Sequence, residues 1–405
     1  MIMQDTIELG QILTAAVGVL ALLVGTLLNR KIKFLSRVCI PVPVSGGLLI
    51  ACITLVLRSC AGVEFSFDPT IQNICMLMFF TTVGYQCDFS SFKTGGKPLL
   101  ILIGLVAVLI VMQNAVSVGI AAALGLEPVF GMVSGSIPMC GGHGTAAGFN
   151  ALLEDNGIAN AATITMSTAT FGLIAGSLLG GPLSEMLIRK HHLSAPRLPA
   201  KCIVDEDITN RDTDTAHDAS VDRYMSATFE IFIAMGLGVL LNKVLSLTGI
   251  SFPTYFGSLL CAIILRNVTE ALPCRYKIHS GETSGIGSVC LSLFLGMAMC
   301  SLRLWELAGL ALPLMLMLTA EVILIALFCR FLAFPLLGRN YNAAVLVGGL
   351  CGFGLGATSN AMANMSAVCR KNGYTPVPFI ITPIAGSAAG DIINITIITL
   401  FMHFL

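Results

Sequence analysis

Two glycine-rich stretches and one carboxylate are where this sequence could do chemistry. The first stretch, residues 129–150, carries Ser134, Gly135, Ser136, Pro138, Gly141, Gly142, His143, Gly144 and Thr145. The second, residues 343–366, carries Gly348, Gly349, Gly352, Gly354, Gly356, Ala357 and Thr358. Glycine admits left-handed backbone and close approach of a ligand, which a tight helix-to-helix reversal requires. Amides freed at such a break would bind an anion, and freed carbonyls would coordinate a cation. A single glycine pair more often serves only close helix packing. Two clusters at equivalent places in the chain argue instead for a binding site. Neither is a dinucleotide fingerprint, because no strand precedes it and no βαβ unit surrounds it.

His143 is the only basic residue in either stretch. A histidine in apolar surroundings is commonly a hydrogen-bonded structural residue, but its place in the turn makes it a candidate ligand contact. Asp391 lies inside an apolar run, with Asn394 three residues on and on the same helical face. A carboxylate at membrane depth is costly and usually functional, so Asp391 is a candidate cation ligand. One cation site is expected from Asp391 and Asn394 with carbonyls of the 354–358 turn, where Thr358 lies, and a second near the 141–145 turn from carbonyls and hydroxyls such as that of Ser136. Glu321 and Asp88 are weaker candidates: the first could be a buried hydrogen-bonding partner of a neighbouring helix, and the second could mark a membrane boundary.

The elements that must position these residues are transmembrane helices. The chain has 405 residues, 56% hydrophobic and only 11% charged. Soluble domains carry about 25% charged residues, which they need to cover their surface. The net charge is zero, which argues against a nucleic-acid partner. The 14 cysteines form no CxxC pair and mostly lie in apolar runs, where they read as small hydrophobes packing between helices. A helix needs about 20 apolar residues to span the hydrocarbon core. Runs of that order occupy 9–28, 40–57, 71–87, 99–126 and 160–188, then 226–247, 252–272, 283–302, 308–334 and 376–405. Between the two sets, residues 191–225 hold Asp205, Glu206, Asp207, Asp212, Asp214, Asp218 and Asp222, and read as a solvated connector.

The chain also repeats itself. The string IAGSxxG at Ile174–Gly180 returns at Ile384–Gly390, displaced by 210 positions. The same displacement carries Pro43, Gly47 and Leu49 onto Pro253, Gly257 and Leu259, and a nearly equal one carries Gln113 onto Glu321. If the two glycine-rich stretches dip into the membrane and return, ten crossings remain. Short loops on one side then collect nearly all the bases, from Arg30 and Lys31 through Arg189 and Lys190 to Arg370 and Lys371. The other side keeps only Arg58, Lys243 and Arg303. If the stretches crossed fully, that positive-inside bias would vanish. The expected fold is therefore all-α: ten transmembrane helices and two re-entrant loops, as a membrane repeat at 1–190, a cytoplasmic connector at 191–225 and an inverted repeat at 226–405, with both termini outside. Inverted repeats with broken helices point to a secondary transporter with its site near the midplane. No nucleophile–base pair and no metal-ligand constellation suggests an enzyme or an enzymatic cofactor. A channel would be lined by symmetric rings from several subunits.

The strings IPVPVSGGLL, SGSIPMCGGHGTAAGF, SLFLGMAM, LWELAGLALP, NYNAAVL and CGFGLGATSNAMANM occur in this order and closely resemble the bacterial sodium/glutamate symporter family. The resemblance covers essentially the whole chain. It implies sodium-coupled uptake of L-glutamate across the bacterial cytoplasmic (inner) membrane, a homodimer in the lipid bilayer, and an elevator-like movement of one bundle. With glutamate as substrate, Gly141, Gly142, His143, Gly144, Thr145, Gly354, Gly356, Ala357 and Thr358 become the expected contacts. With sodium as coupling ion, Asp391, Asn394, Ser136 and Thr358 become the expected ligands. A carrier of another small carboxylate, such as a dicarboxylate or 2-oxo acid, is the alternative.

Overall fold

A computed structural model describes residues 5–32, 35, 41–87, 89–196, 221–247, 252–271, 278–305 and 310–405. Asp88, Lys33 and the acidic connector residues Asp205 to Asp218 lie outside the described residues. Each of the ten apolar runs forms a helix. The first half contributes α1 (Gln11–Lys31), α2 (Val42–Ala61), α3 (Thr70–Gln86), α4 (Phe89–Ala123) and α7 (Ala161–Lys190). The second contributes α8 (Val221–Ser246), α9 (Phe256–Ala271), α10 (Ser280–Cys300), α11 (Ala311–Phe328) and the run Val377–Phe404. Eight of these are long and apolar enough to cross a membrane. The other two, α3 and α9, have 17 and 16 residues. α1 and α8 begin at Gln11 and Val221, and α3 and α10 at Thr70 and Ser280, so both pairs keep the 210-residue displacement.

The exterior is apolar. Ile12, Leu20, Leu23 and Leu27 on α1 and Phe229, Phe232, Ile233 and Leu240 on α8 are all exposed, an arrangement that only a lipid surrounding satisfies.

The architecture is all-α apart from one short pairing, in which β1 (Asp5–Leu9) runs parallel to β2 (Val63–Phe67). Backbone outside the hydrocarbon region is free to pair this way, and Val63 and Phe65 have strand-favouring side chains. Among the described residues α8 runs from Val221 and places Asp222 in its first turn, where the helix dipole favours an acid. Long helices are also interrupted. Gly96 (φ 57°) breaks α4, and π-helical turns replace α-helix at Cys329–Ala333 and at Ile384–Ala388. The latter separates α15 (Val377–Pro383) from α16 (Ala389–Phe404) and contains the second IAGS string. Of the cysteines in the apolar runs, Cys290 is buried and Cys261 partly so, whereas Cys52 is exposed on α2.

The helices pack as two bundles. α1, α2, α3, α8, α9 and α10 pack chiefly on one another. α4, α7, α11, α15 and α16 pack with the two glycine-rich stretches. Among the described residues, the helix pairs that meet most closely between the bundles are α10 with the first glycine-rich stretch and α3 with the second π-turn. Both bundles draw helices from both halves of the chain.

Candidate functional site

Each glycine-rich stretch folds as a helix, a break and a helix whose ends return together. In the first, a 3-10 segment (Pro128–Val133) and α5 (Ser136–Met139) lead to α6 (Gly142–Asp155). Its entry and exit meet, for a Cβ placed at Gly157 would lie 3.8 Å from Glu127 Oε2. In the second, α13 (Tyr341–Gly354) leads to α14 (Thr358–Asn372). Here Tyr341 Oη donates to Gly373 O, and Thr375 Oγ1 donates to Asn342 Oδ1 at 2.6 Å.

α7 relates the two. It starts beside the open end of the first hairpin, where Arg303 N donates to Thr163 Oγ1, and it ends beside the open end of the second, where Lys371 Nζ donates to Glu185 at 2.6 Å. Thirty residues at about 1.5 Å each separate those ends by roughly 45 Å. The hairpins therefore open in opposite directions. Their breaks both lie against the middle of α7. His143 Nε2 is 3.0 Å from Thr170 Oγ1, Asn360 Nδ2 donates to Leu173 O at 2.8 Å, and Asn364 Nδ2 donates to Gly176 O at 3.0 Å.

The breaks touch each other. Gly142 has φ 61°, and a Cβ there would sit 2.6 Å from Gly356 O. Gly356 is glycine for a different reason. Its φ is not left-handed, but a Cβ would meet Leu173 Cα at 3.0 Å and Gly352 O at 3.1 Å. The N-cap residues of α6 and α14, Gly141 and Ala357, make no side-chain capping hydrogen bond among the described residues, and the two helix N-termini lie close together at Gly142 and Gly356. Two uncapped half-helix N-termini make a site for an anion.

Oxygen ligands collect on the other flank of the first break. Asn394 Nδ2 donates to Ser136 O at 3.2 Å, and Ser136 N donates to Asn114 Oδ1 at 2.8 Å. Asn394 Oδ1 and Ser136 Oγ are buried without a hydrogen-bond partner among the described residues. Asn394 also lies against Gly141 and Thr145. Asp391, one turn earlier, is half-buried and pairs with no Lys or Arg among the described residues. Carboxylate, amide and hydroxyl oxygens of this kind suit a hard monovalent cation.

Of the residues singled out from sequence, the structure brings together Ser136, Gly141, Thr145 and Asn394 on one flank and Gly142 with Gly356 at the centre. Thr358 lies instead beside Gly386 of the second π-turn, apart from Ser136. His143 faces α7. Thr170 Oγ1 donates its own hydrogen to Met166 O at 2.9 Å, so Nε2–H donates to Thr170 and this nitrogen is occupied. Glu321 is fully buried and accepts from Ser117 Oγ at 2.9 Å, while its equivalent Gln113 donates to Gly354 O at 2.8 Å. Sequence reasoning passed over Asn114, Asn360 and Asn364. The signal was available: Asn114 follows Gln113 inside an apolar span, and Asn360 and Asn364 share one face of α14.

The sodium/glutamate symporter family matches residues 7–374. The chain is 38% identical over 396 residues to the sodium/glutamate symporter of Escherichia coli (strain K12), covering 98% of each chain. It is 35% identical over 383 residues to that of Haemophilus influenzae, covering 94% of each. This chain belongs to the sodium/glutamate symporter family. A symporter needs an anion site and a cation site close enough to be coupled, and uncapped helix ends beside oxygen-rich flanks can provide both. Membership also makes the chain a transporter rather than an enzyme, with sodium as coupling ion and no enzymatic cofactor.

Proposed function

We propose that this chain takes up L-glutamate with sodium across the bacterial cytoplasmic membrane by alternating access. The observation that carries this reading is the meeting of two oppositely opening hairpins at Gly142 and Gly356. In this reading the hairpins are re-entrant loops within ten crossings, and the halves at 1–190 and 226–405 are inverted repeats with both termini outside. The grouping of Arg58, Glu64, Arg303 and Trp305 at one end, away from Lys371 and Arg189, supports that orientation. Glutamate's carboxylates bind the uncapped amides of α6 and α14, contacting Gly141 to Thr145 and Gly354 to Thr358. Sodium binds Asp391, Asn394 and Ser136, and a further cation lies at Thr358 and the carbonyls of the second break. The hairpin bundle slides against the six-helix bundle, and the few close helix contacts between them support such movement. The chain works as a homodimer in this reading.

Counterflow in proteoliposomes tests the substrate. Vesicles preloaded with unlabelled glutamate should concentrate labelled L-glutamate when sodium is present. Faster counterflow of a dicarboxylate or 2-oxo acid than of glutamate would transfer the assignment to that substrate.

A further inference from the structure

Glu321 is a buried carboxyl with no part in the anion or cation sites. It lies on α11 and is completely enclosed. Its Oε1 accepts from Ser117 Oγ of α4 at 2.9 Å, and its Oε2 is buried without a hydrogen-bond partner among the described residues. No Lys, Arg or His pairs with it among those residues. α11 packs on α4, α7 and α13 and runs into the π-turn at Cys329–Ala333. The charged groups on those elements are remote. Lys97, Glu185, Arg189 and Lys190 lie toward the ends of α4 and α7, and Arg330 is about 13 Å along the helix axis.

A carboxylate enclosed with one neutral donor and no counter-ion costs far more than a neutral acid, so such a group takes up a proton instead. The hydrogen-bond partners agree. Ser117 donates and needs only an acceptor, which either form of the carboxyl supplies. Oε2 meets no donor, and Gln113 Oε1, one turn before Ser117 on the same face of α4, is another buried acceptor without a partner among the described residues. One proton on the carboxyl supplies a donor where two acceptors lack one. The repeat points the same way, because the equivalent of Glu321 is Gln113, an uncharged amide with the shape of a protonated glutamic acid.

This contact sits beside both breaks. Gln113 Nε2 donates to Gly354 O at 2.8 Å, and Asn114 Oδ1 accepts from Ser136 N at 2.8 Å, so this part of α4 holds one backbone atom of each hairpin. On α11, Met317 Sδ, one turn before Glu321, accepts from Ser134 Oγ at 3.3 Å. One turn after it, Ile325 Cδ1 would lie 2.7 Å from a Cβ placed at Gly354. We propose that Glu321 binds a proton and keeps it through the transport cycle, as a neutral positioning residue that fastens α11 to α4 beside the two breaks. A proton held inside the hairpin bundle moves with it and adds nothing to the coupled charge, so the cations that draw glutamate inward bind elsewhere.

The test compares E321Q and E321L with unmodified protein. Infrared spectra of the membrane-embedded protein at neutral pH should show a protonated-carboxyl C=O band that deuteration shifts and that E321Q lacks. E321Q keeps the shape, the neutral state and an acceptor for Ser117, so its uptake should stay within about twofold, with the same sodium concentration at half-maximal rate. E321L leaves Ser117 Oγ without its partner and should lower uptake about tenfold. The inference is overturned if E321Q loses no such band, because the carboxyl is then ionised. It is equally overturned if E321Q needs more sodium, which would make Glu321 a cation ligand, or loses as much uptake as E321L, which would mean that the proton must leave. Full uptake by E321L removes the positioning role, and should E321L fail to insert, the spectra and E321Q decide. The uptake arms rest on the sodium/glutamate reading and the infrared arm does not. Failure of unmodified protein to take up glutamate with sodium would therefore sink that reading and leave the proton assignment to the spectra.

Discussion

At Gly142 a φ of 61° and the carbonyl of Gly356 both exclude a side chain, whereas at Gly356 only space does. A β-branched residue held at positive φ costs about 1–3 kcal/mol. Gly142→Val and Gly356→Val should each lower glutamate uptake more than tenfold while the protein still inserts, as measured by uptake normalised to purified membrane-embedded protein. Normal uptake by both variants would make these glycines mere packing residues. Asp391→Asn keeps the shape of the side chain and removes its charge. The sodium concentration for half-maximal uptake should rise more than tenfold, well beyond any change in glutamate affinity at saturating sodium. Uptake titrated against sodium at fixed potential reads this directly, and an unchanged titration removes Asp391 from the cation site.

At the scale of elements, the hairpins and their opposite openings make a topological prediction. A single cysteine at Glu154, in a cysteine-free background, should react with an impermeant maleimide only from outside, and one at Lys371 only from inside. Replacing Lys371 loses its pair with Glu185, but both side chains are partly solvated, so that loss is worth at most about 1 kcal/mol. Labelling of both from one side would contradict the inverted arrangement. The helices were legible in the sequence because each needs a long apolar run, and the breaks were legible because glycines clustered there twice. The two breaks looked alike in sequence, yet of the two contacting glycines only Gly142 uses left-handed backbone; Gly356 is crowded instead by its own hairpin at Gly352 O and by Leu173 of α7, far away in the chain. The π-turn at Ile384–Ala388 shares its string with Ile174–Gly180, which lies in regular helix, so local sequence alone did not specify it.

For the whole molecule, the energetics of transport fix the number of cations. Glutamate carries one net negative charge near pH 7, so an inside-negative potential opposes its entry by about 2.3 kcal/mol per 100 mV. One sodium ion would cancel that charge and leave uptake indifferent to potential. Accumulation driven by potential requires at least two cations per glutamate, which is why both flanks of the paired hairpins are assigned cation sites. The most direct measurement is uptake of labelled L-glutamate into proteoliposomes, with sodium gradient and membrane potential set independently. The expected result is accumulation that requires inward sodium and grows as the interior is made more negative. Uptake that proceeds equally without sodium would contradict sodium-coupled transport, and uptake indifferent to the potential would reduce the coupling to a single ion.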